Sequence, residues 1–106
     1  MQQIQQGDVI GRRIERMPEG LTPVVAGSRG LVVAEGEVTG HAHRIESLDG
    51  VRLYQGPNGL RVLEVTEPVP MTHEEHGTVT WSPGLWEIGG VREKDWVDES
   101  IHAVRD

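Results

Sequence analysis

Glycine and proline divide this chain into segments that are mostly too short for an ordinary helix. Fourteen glycines and six prolines are spread through 106 residues without a repeating period. The segments between them are rich in Val, Leu and Ile, and several end in turn-forming residues, such as Asp49-Gly50, GPNG at 56–59 and Pro83-Gly84. Six to eight short strands of this kind predict an all-β fold, either a small barrel or a two-sheet sandwich.

The tail follows a different pattern from the rest of the chain. After about residue 92, apolar residues fall at helical spacing, at Trp96 or Val97, Ile101 and Val104. No repeat, low-complexity segment or linker interrupts the chain. We therefore expect one β domain over residues 1–106, ending in a short C-terminal helix or a loosely docked tail.

The composition excludes several kinds of site and partner. The absence of cysteine rules out disulfides, thiolate metal ligands and a cysteine nucleophile. A net charge of −7 should repel a phosphate backbone, so we expect no general nucleic-acid binding. No apolar run approaches the roughly 18 residues of a membrane span, and the N-terminus does not resemble a signal peptide. We expect a cytoplasmic protein without membrane contact.

Four of the five histidines occur as two close pairs, and the first pair is His41 with His43. Residues two apart on a strand point to the same face of a sheet. If this segment is a strand, the two imidazoles project side by side at a spacing that suits a shared ion. The other reading is that they are surface residues or a hydrogen-bonded pair.

The second pair, His73 and His76, needs a break in the strand to act jointly. A continuous strand would put these two residues on opposite faces, whereas one helical turn or a bulge would bring them together. Thr72 and Glu75 have the spacing of a capping box, which favours one turn, and Gly77 supplies local freedom. The alternative is a solvated turn that carries charged residues.

A divalent metal site follows if the two pairs converge. His41, His43, His73 and His76 would then be its ligands, and Glu46, Glu74 or Glu75 could replace one of them. Such nitrogen and oxygen donors suit Zn, Fe, Mn, Ni or Cu, and the sequence does not distinguish among these metals.

The residues around the first pair resemble the first of the two cupin motifs, which runs from a glycine through His-x-His to a glutamate and a closing glycine. Here the order is Gly36, His41, His43, Glu46 and Gly50. The second motif matches only at Pro83 and Gly84, with no histidine after them until His102, so His73 or His76 would have to supply its ligand. The resemblance implies a metal bound inside a β-barrel.

The whole chain also resembles a group of small uncharacterised bacterial and phage-type proteins. The shared features are a QxGDV segment at residues 5–9, GEVTGHAH at 36–43, and HEEH at 73–76 followed by a Pro-Gly turn. This resemblance implies where the site lies, and it implies no activity.

Two classes of function remain open. In the first, a metal-dependent enzyme acts on a small-molecule substrate, with Glu74 or Glu75 as general base or as a group that orients a ligand. In the second, the domain is a binding or assembly module that forms homo-oligomers and holds a structural metal or none. Trp81 and Trp86 are expected in the core, although they could also line a pocket.

Overall fold

The computed structural model describes residues 2–28, 30–35 and 41–90. These residues form strands and one short 3-10 turn, Pro57–Gly59, and they contain no α-helix. The strands are β1 (Gln3–Gln6), β2 (Val9–Ile14), β3 (Thr22–Pro23), β4 (Leu31–Glu35), β5 (Ala42–Ile45), β6 (Val51–Gln55), β7 (Arg61–Val65), β8 (Val69–Met71), β9 (Val79–Trp81) and β10 (Gly84–Gly90). The all-β prediction is confirmed.

Six of the strands form an open antiparallel sheet in the order β1-β2-β10-β7-β6-β3. The long strand β10 pairs with β2 on one side, where Leu85 lies opposite Ile14, and with β7 on the other, where Leu85 lies opposite Glu64. β1 and β3 are the edges of this sheet, so its strands do not close into a barrel. The packing is that of a sandwich, the second of the two predicted architectures.

Two hairpins, β4-β5 and β8-β9, supply the remaining strands. They are joined by one antiparallel bridge: the Arg44 N–H donates to the Thr72 carbonyl at 2.9 Å, and the Thr72 N–H donates to the Arg44 carbonyl at 2.8 Å. Because of this bridge, the start of β5 lies beside the end of β8, and residues near 43 are brought close to residues near 73.

Among the described residues, aliphatic side chains make up most of the hydrophobic core, and two tryptophans supply its aromatic bulk. Trp81 and Trp86 are fully buried, and their rings meet edge to face with centroids 5.4 Å apart. The Trp86 indole N–H donates to the Ser82 carbonyl, so this polar group is satisfied inside the core. Both tryptophans are core residues, as expected from their strand positions.

Of the three turn signals, the one at residues 56–59 joins two strands that pair with each other, and the other two do not. Pro83-Gly84 joins β9, which pairs with β8, to β10, which pairs with β2 and β7. Residues 56–59 connect β6 to its neighbour β7, as in a hairpin. Asp49-Gly50 does turn, with Gly50 at a φ of +73°. It does not form a hairpin, however, because β5 pairs with β4 whereas β6 pairs with β7 and β3. The turn carries the chain from one sheet to the other.

The predicted C-terminal helix or tail, including Trp96, lies outside the described residues. Within the described part of the chain, no helix has the length and apolar character that crossing a membrane requires.

Candidate metal centre

The four paired histidines, His41, His43, His73 and His76, are here called the histidine cluster. They are carried by the start of β5 and by the loop at 72–78 that joins β8 to β9. The Arg44–Thr72 bridge holds these two segments together. The turn between β1 and β2, which contains Gly7 and Asp8, packs against the same cluster.

The structure brings the two pairs together. The ring of His73 is central: its centroid lies 4.4 Å from that of His43, 4.6 Å from that of His76 and 5.7 Å from that of His41. His43 and His76 are 6.2 Å apart and nearly parallel. Imidazoles that bind one ion through nitrogen at about 2.1 Å have centroids roughly 4.5–6.5 Å apart, depending on the coordination angle. The observed spacings fall close to this range.

The segment that carries His73 and His76 is a bend and not the helical turn that the Thr72–Glu75 spacing suggests. The bend is closed by the Glu75 N–H, which donates to Nδ1 of His73 at 3.0 Å. In this arrangement a neutral His73 carries its proton on Nε2. To bind a metal through either ring nitrogen, a neutral His73 would have to give up this hydrogen bond, because the metal would use the Nδ1 lone pair directly or the ring proton would move to Nδ1.

Exposure increases across the cluster. His43 is 1% exposed, His41 and His73 are partly buried, and His76 is exposed. The cluster therefore has a closed inner side at His43 and an outer side that solvent reaches at His76.

The buried side of the cluster is organised by Gln6, the last residue of β1. Its amide nitrogen donates to the Met71 and Gly77 carbonyls, each at 2.9 Å, and its amide oxygen lies 2.8 Å from Nδ1 of His43. All polar atoms of this side chain, which is 2% exposed, thus have partners.

The pKa of His43 is lowered from its ordinary 6.5 to about 4. Burial of the ring is the main cause, repulsion from His73 is the second, and the Asp8 carboxylate opposes both. His43 is therefore neutral at pH 7, which is the state that a metal ligand requires.

Each carboxylate oxygen of Glu74 has a partner, one through a hydrogen bond and the other through an ion pair. One accepts the Ala42 N–H at 2.9 Å, and the other lies 3.2 Å from an Arg44 guanidinium nitrogen. The Ala42 N–H is the main reason that the pKa of Glu74 is lowered from 4.5.

Glu75 and His41 lie on the outer side of the cluster. The Glu75 side chain is 58% exposed, and one of its oxygens is 3.8 Å from Nδ1 of His41. That nitrogen is buried and makes no hydrogen bond. A buried nitrogen without a hydrogen-bond partner, next to a carboxylate, is in an environment that a cation would satisfy.

The most compact set of donor atoms differs from the four-histidine set that the sequence predicts. Among the described residues, His41, His73 and Glu74 each offer a ligand atom within 4.8 Å of the other two. His43 and His76 touch His73 through their rings but are not part of this set. Glu74, predicted either as a general base or as a replacement for one histidine ligand, has its donor atom in this set.

The predicted site residues do not include three residues that contact the cluster: Gln6, Gly7 and Asp8. A Cβ atom at Gly7 would lie 2.5 Å from Nε2 of His76, so the glycine leaves room for that ring. One oxygen of Asp8 lies 3.7 Å from Nε2 of His43. The QxGDV segment contains Gly7 and Asp8 but leaves Gln6 unspecified at its x position, and nothing in its spacing linked it to histidines more than 30 residues away.

Comparisons with known proteins give one family and no relative of known function. Residues 5–90 match a domain of unknown function (DUF8820). No curated protein and no solved structure matches the chain. The matched range includes the β1–β2 turn, all four histidines of the cluster and Glu74. The chain therefore belongs to the family of the domain of unknown function DUF8820.

Proposed function

We propose that this domain binds one divalent transition-metal ion at the histidine cluster. The observation that carries the proposal is the meeting of two histidine pairs, about 30 residues apart in sequence, around the ring of His73. His41, His73 and Glu74 are the proposed first ligands, since their donor atoms lie closest together. His43 and His76 adjoin them and complete the coordination after small ring movements.

The donor set favours a transition-metal ion that is intermediate between hard and soft. Neutral imidazoles with one or two carboxylates suit Zn, Fe, Mn, Ni and Cu, whereas Ca and Mg prefer oxygen donors alone. A ligand set taken directly from the cupin resemblance would use Glu46. The contacts favour Glu74 instead, because Glu46 is exposed after the end of β5.

The exposed outer side of the cluster favours a catalytic site that solvent and substrate can reach over a closed structural site. His76 and Glu75 are solvent-accessible, so water or a small molecule can reach a metal held there. A metal of this kind can activate a bound water, and Glu75 is the carboxylate placed to accept its proton. We therefore propose a metal-dependent enzyme with a small-molecule substrate.

The second candidate is a structural ion in a binding or assembly module that forms homo-oligomers. It is favoured by the bonds that join three chain segments at the cluster, namely those of Gln6 to Met71 and Gly77 and of Glu74 to Ala42 and Arg44. An ion in such a place would add a further cross-link.

Elemental analysis of protein purified without a histidine tag tests the proposal. We expect about one transition-metal ion per chain, and we expect the double variant His41→Ala, His73→Ala to lose it. His102→Ala is the matched control, since it removes a histidine outside the cluster. Wild-type protein that contains no metal, and takes up none from a Zn²⁺ or Co²⁺ solution, would refute the proposal.

The same double variant separates the two candidates. If it loses the metal and keeps its fold by circular dichroism and its oligomeric state by light scattering, the ion is not structural. If it unfolds or changes its oligomeric state, and chelation of wild-type protein does the same, the structural candidate is favoured.

A further inference from the structure

Gln6 is a buried carboxamide whose orientation is fixed by its surroundings. Two of its neighbours, the Met71 and Gly77 carbonyls, can only accept hydrogen bonds, and both lie 2.9 Å from the same atom. That atom must be the amide nitrogen, because an amide oxygen has no proton to donate. The oxygen of Gln6 therefore faces His43.

This orientation determines the tautomer of His43. The amide oxygen lies 2.8 Å from Nδ1 and can only accept, so Nδ1 carries the ring proton. In the neutral ring the lone pair is then on Nε2. That nitrogen lies on the side away from Gln6, 3.7 Å from the Asp8 carboxylate.

We infer that Gln6 is a positioning residue of the proposed metal site, which holds His43 as the Nδ1–H tautomer so that Nε2 is the nitrogen offered to the metal. The inference rests on the proposed metal-binding function. A ligating histidine that donates its other N–H to an oxygen acceptor has a fixed ring orientation, and loss of such an acceptor typically costs 10–100-fold in metal affinity.

The same amide has a second effect on the site. Met71 ends β8, and Gly77 follows His76, so the two carbonyls that Gln6 holds lie on either side of the segment with His73 and His76. Gln6 therefore links the buried histidine to the loop that supplies the two other rings. Its two roles, accepting from His43 and donating to the loop, use different atoms and can be separated by substitution.

Two substitutions at Gln6 separate the roles. Gln6→Met has nearly the same shape and removes both the acceptor and the donor. Gln6→Glu keeps an oxygen acceptor for Nδ1–H but cannot donate to the loop carbonyls when ionised. Gln55→Met is the matched control, since Gln55 is an exposed strand residue of β6.

The tautomer is measured by long-range ¹⁵N–¹H NMR on metal-free protein at pH 7.5, and the affinity by titration with Zn²⁺. We expect the Nδ1–H form of His43 in the wild type and in Gln6→Glu, and a mixture of tautomers in Gln6→Met. The affinity should fall about 10–100-fold in Gln6→Met, fall less in Gln6→Glu, and stay unchanged in Gln55→Met. A purely structural role of Gln6 would not be rescued by Glu.

Two results would overturn the inference while the proposed function stands. One is a ring proton on Nε2 of His43 in the wild type, a measurement that needs no variant to fold. The other is a folded Gln6→Met variant that binds Zn²⁺ as tightly as the wild type. If the wild type itself binds neither Zn²⁺ nor Co²⁺, the proposed function fails, and the inference fails with it.

Discussion

The imidazoles of His43 and His73 lie 4.4 Å apart, centroid to centroid, although 30 residues separate them in the chain. The contact depends on the backbone bridge between their neighbours, Arg44 and Thr72. Each histidine is one residue from the bridge, so two paired backbones hold the rings in place. The two segments that carry the rings are thus already paired in metal-free protein, so binding has to reorient side chains but not to bring the segments together.

The central position of His73 predicts unequal effects of removing single histidines. His73 belongs to the compact donor set and touches the other three rings, whereas His76 is exposed and outside that set. We expect His73→Ala to weaken Zn²⁺ binding at least about 100-fold, which is the upper end of the loss typical of an outer partner of a metal ligand, and His76→Ala to weaken it by about 10-fold, the lower end of that range. Calorimetric titration measures both. Equal losses, or a larger loss in His76→Ala, would contradict the central role of His73.

The two neighbouring glutamates are predicted to differ in the same assay. Glu74 lies in the donor set and is held by Ala42 and Arg44, whereas Glu75 is largely exposed. We expect Glu74→Gln to lower the Zn²⁺ affinity about 10-fold or more, and Glu75→Gln to change it by less than about threefold. If Glu75 is the general base, Glu75→Gln should keep the metal and show lower activity than the wild type in an assay with a substrate of the enzyme. A large loss of metal from Glu75→Gln would assign it as a ligand instead.

The sequence predicted the parts of the site that depend on local spacing. His-x-His at the start of a strand and a second pair beside Gly77 were enough to name the histidines. The role of Gln6 could not be predicted, because its bonds to His43 and Met71 depend on tertiary contacts. Spacing also could not decide between a base and a ligand for Glu74, because it does not reveal that a backbone N–H 32 positions away holds its carboxylate.

The fold shows the same division between local and distant information. Asp49-Gly50 predicted a turn from the preference of glycine for positive φ, and Gly50 has that conformation. Which strands the turn connects depends on pairing with β4 and β7, which local residues do not encode. The bend at 73–76 is an exception, because the bond that closes it, from the Glu75 N–H to Nδ1 of His73, joins residues only two positions apart.

Substitution of Gly7 should disturb the cluster specifically. Gly7 has a φ of +60°, and an added Cβ would lie 2.5 Å from Nε2 of His76. We expect Gly7→Ala to lose about 1–2 kcal/mol of unfolding free energy through backbone strain and to displace His76, with weaker Zn²⁺ binding. Gly20→Ala is the matched control, since Gly20 has a φ of +82° with nothing within 4 Å of a Cβ. Equal Zn²⁺ affinities in the two variants would show that the contact with His76 does not matter.

Substitution of Gly11 should affect stability through the core instead. A Cβ at Gly11 would lie 2.3 Å from ring atoms of the fully buried Trp81, which packs against Trp86. We expect Gly11→Ala to lower the unfolding free energy by about 1–3 kcal/mol, as overpacking of a core does. Gly27→Ala, where an added Cβ meets nothing within 4 Å, should change it by less than about 0.5 kcal/mol. Urea unfolding of metal-free protein measures the unfolding free energy of both variants. Comparable losses in Gly11→Ala and Gly27→Ala would mean that Trp81 can move aside.

The lowered pKa of His43 predicts how the stability of metal-free protein depends on pH. The unfolded chain binds the His43 proton near its ordinary pKa of 6.5, whereas the folded protein binds it only near 4. Between these values the unfolded state holds more protons, so stability is complete above pH 6.5 and is lost as the pH falls toward 4. The full loss from this group is about 3 kcal/mol by the usual conversion. Glu74, whose pKa is lowered from 4.5, adds a further loss only below about that pH.

Urea unfolding of the wild type and of His43→Gln between pH 4.5 and 7.5, in the presence of a chelator, isolates the contribution of His43 by difference, and carboxylates with ordinary pKa values titrate mostly below this window. We expect the unfolding free energy of the wild type to fall by about 2–3 kcal/mol as the pH is lowered from 7.5 to 4.5. His102→Gln, the control, should show the same fall. His43→Gln has no proton to take up at this position, so its stability should vary much less over the same range. Parallel pH profiles for the wild type and His43→Gln would show that the buried imidazole does not control acid stability, and that His43 is not held neutral by its burial.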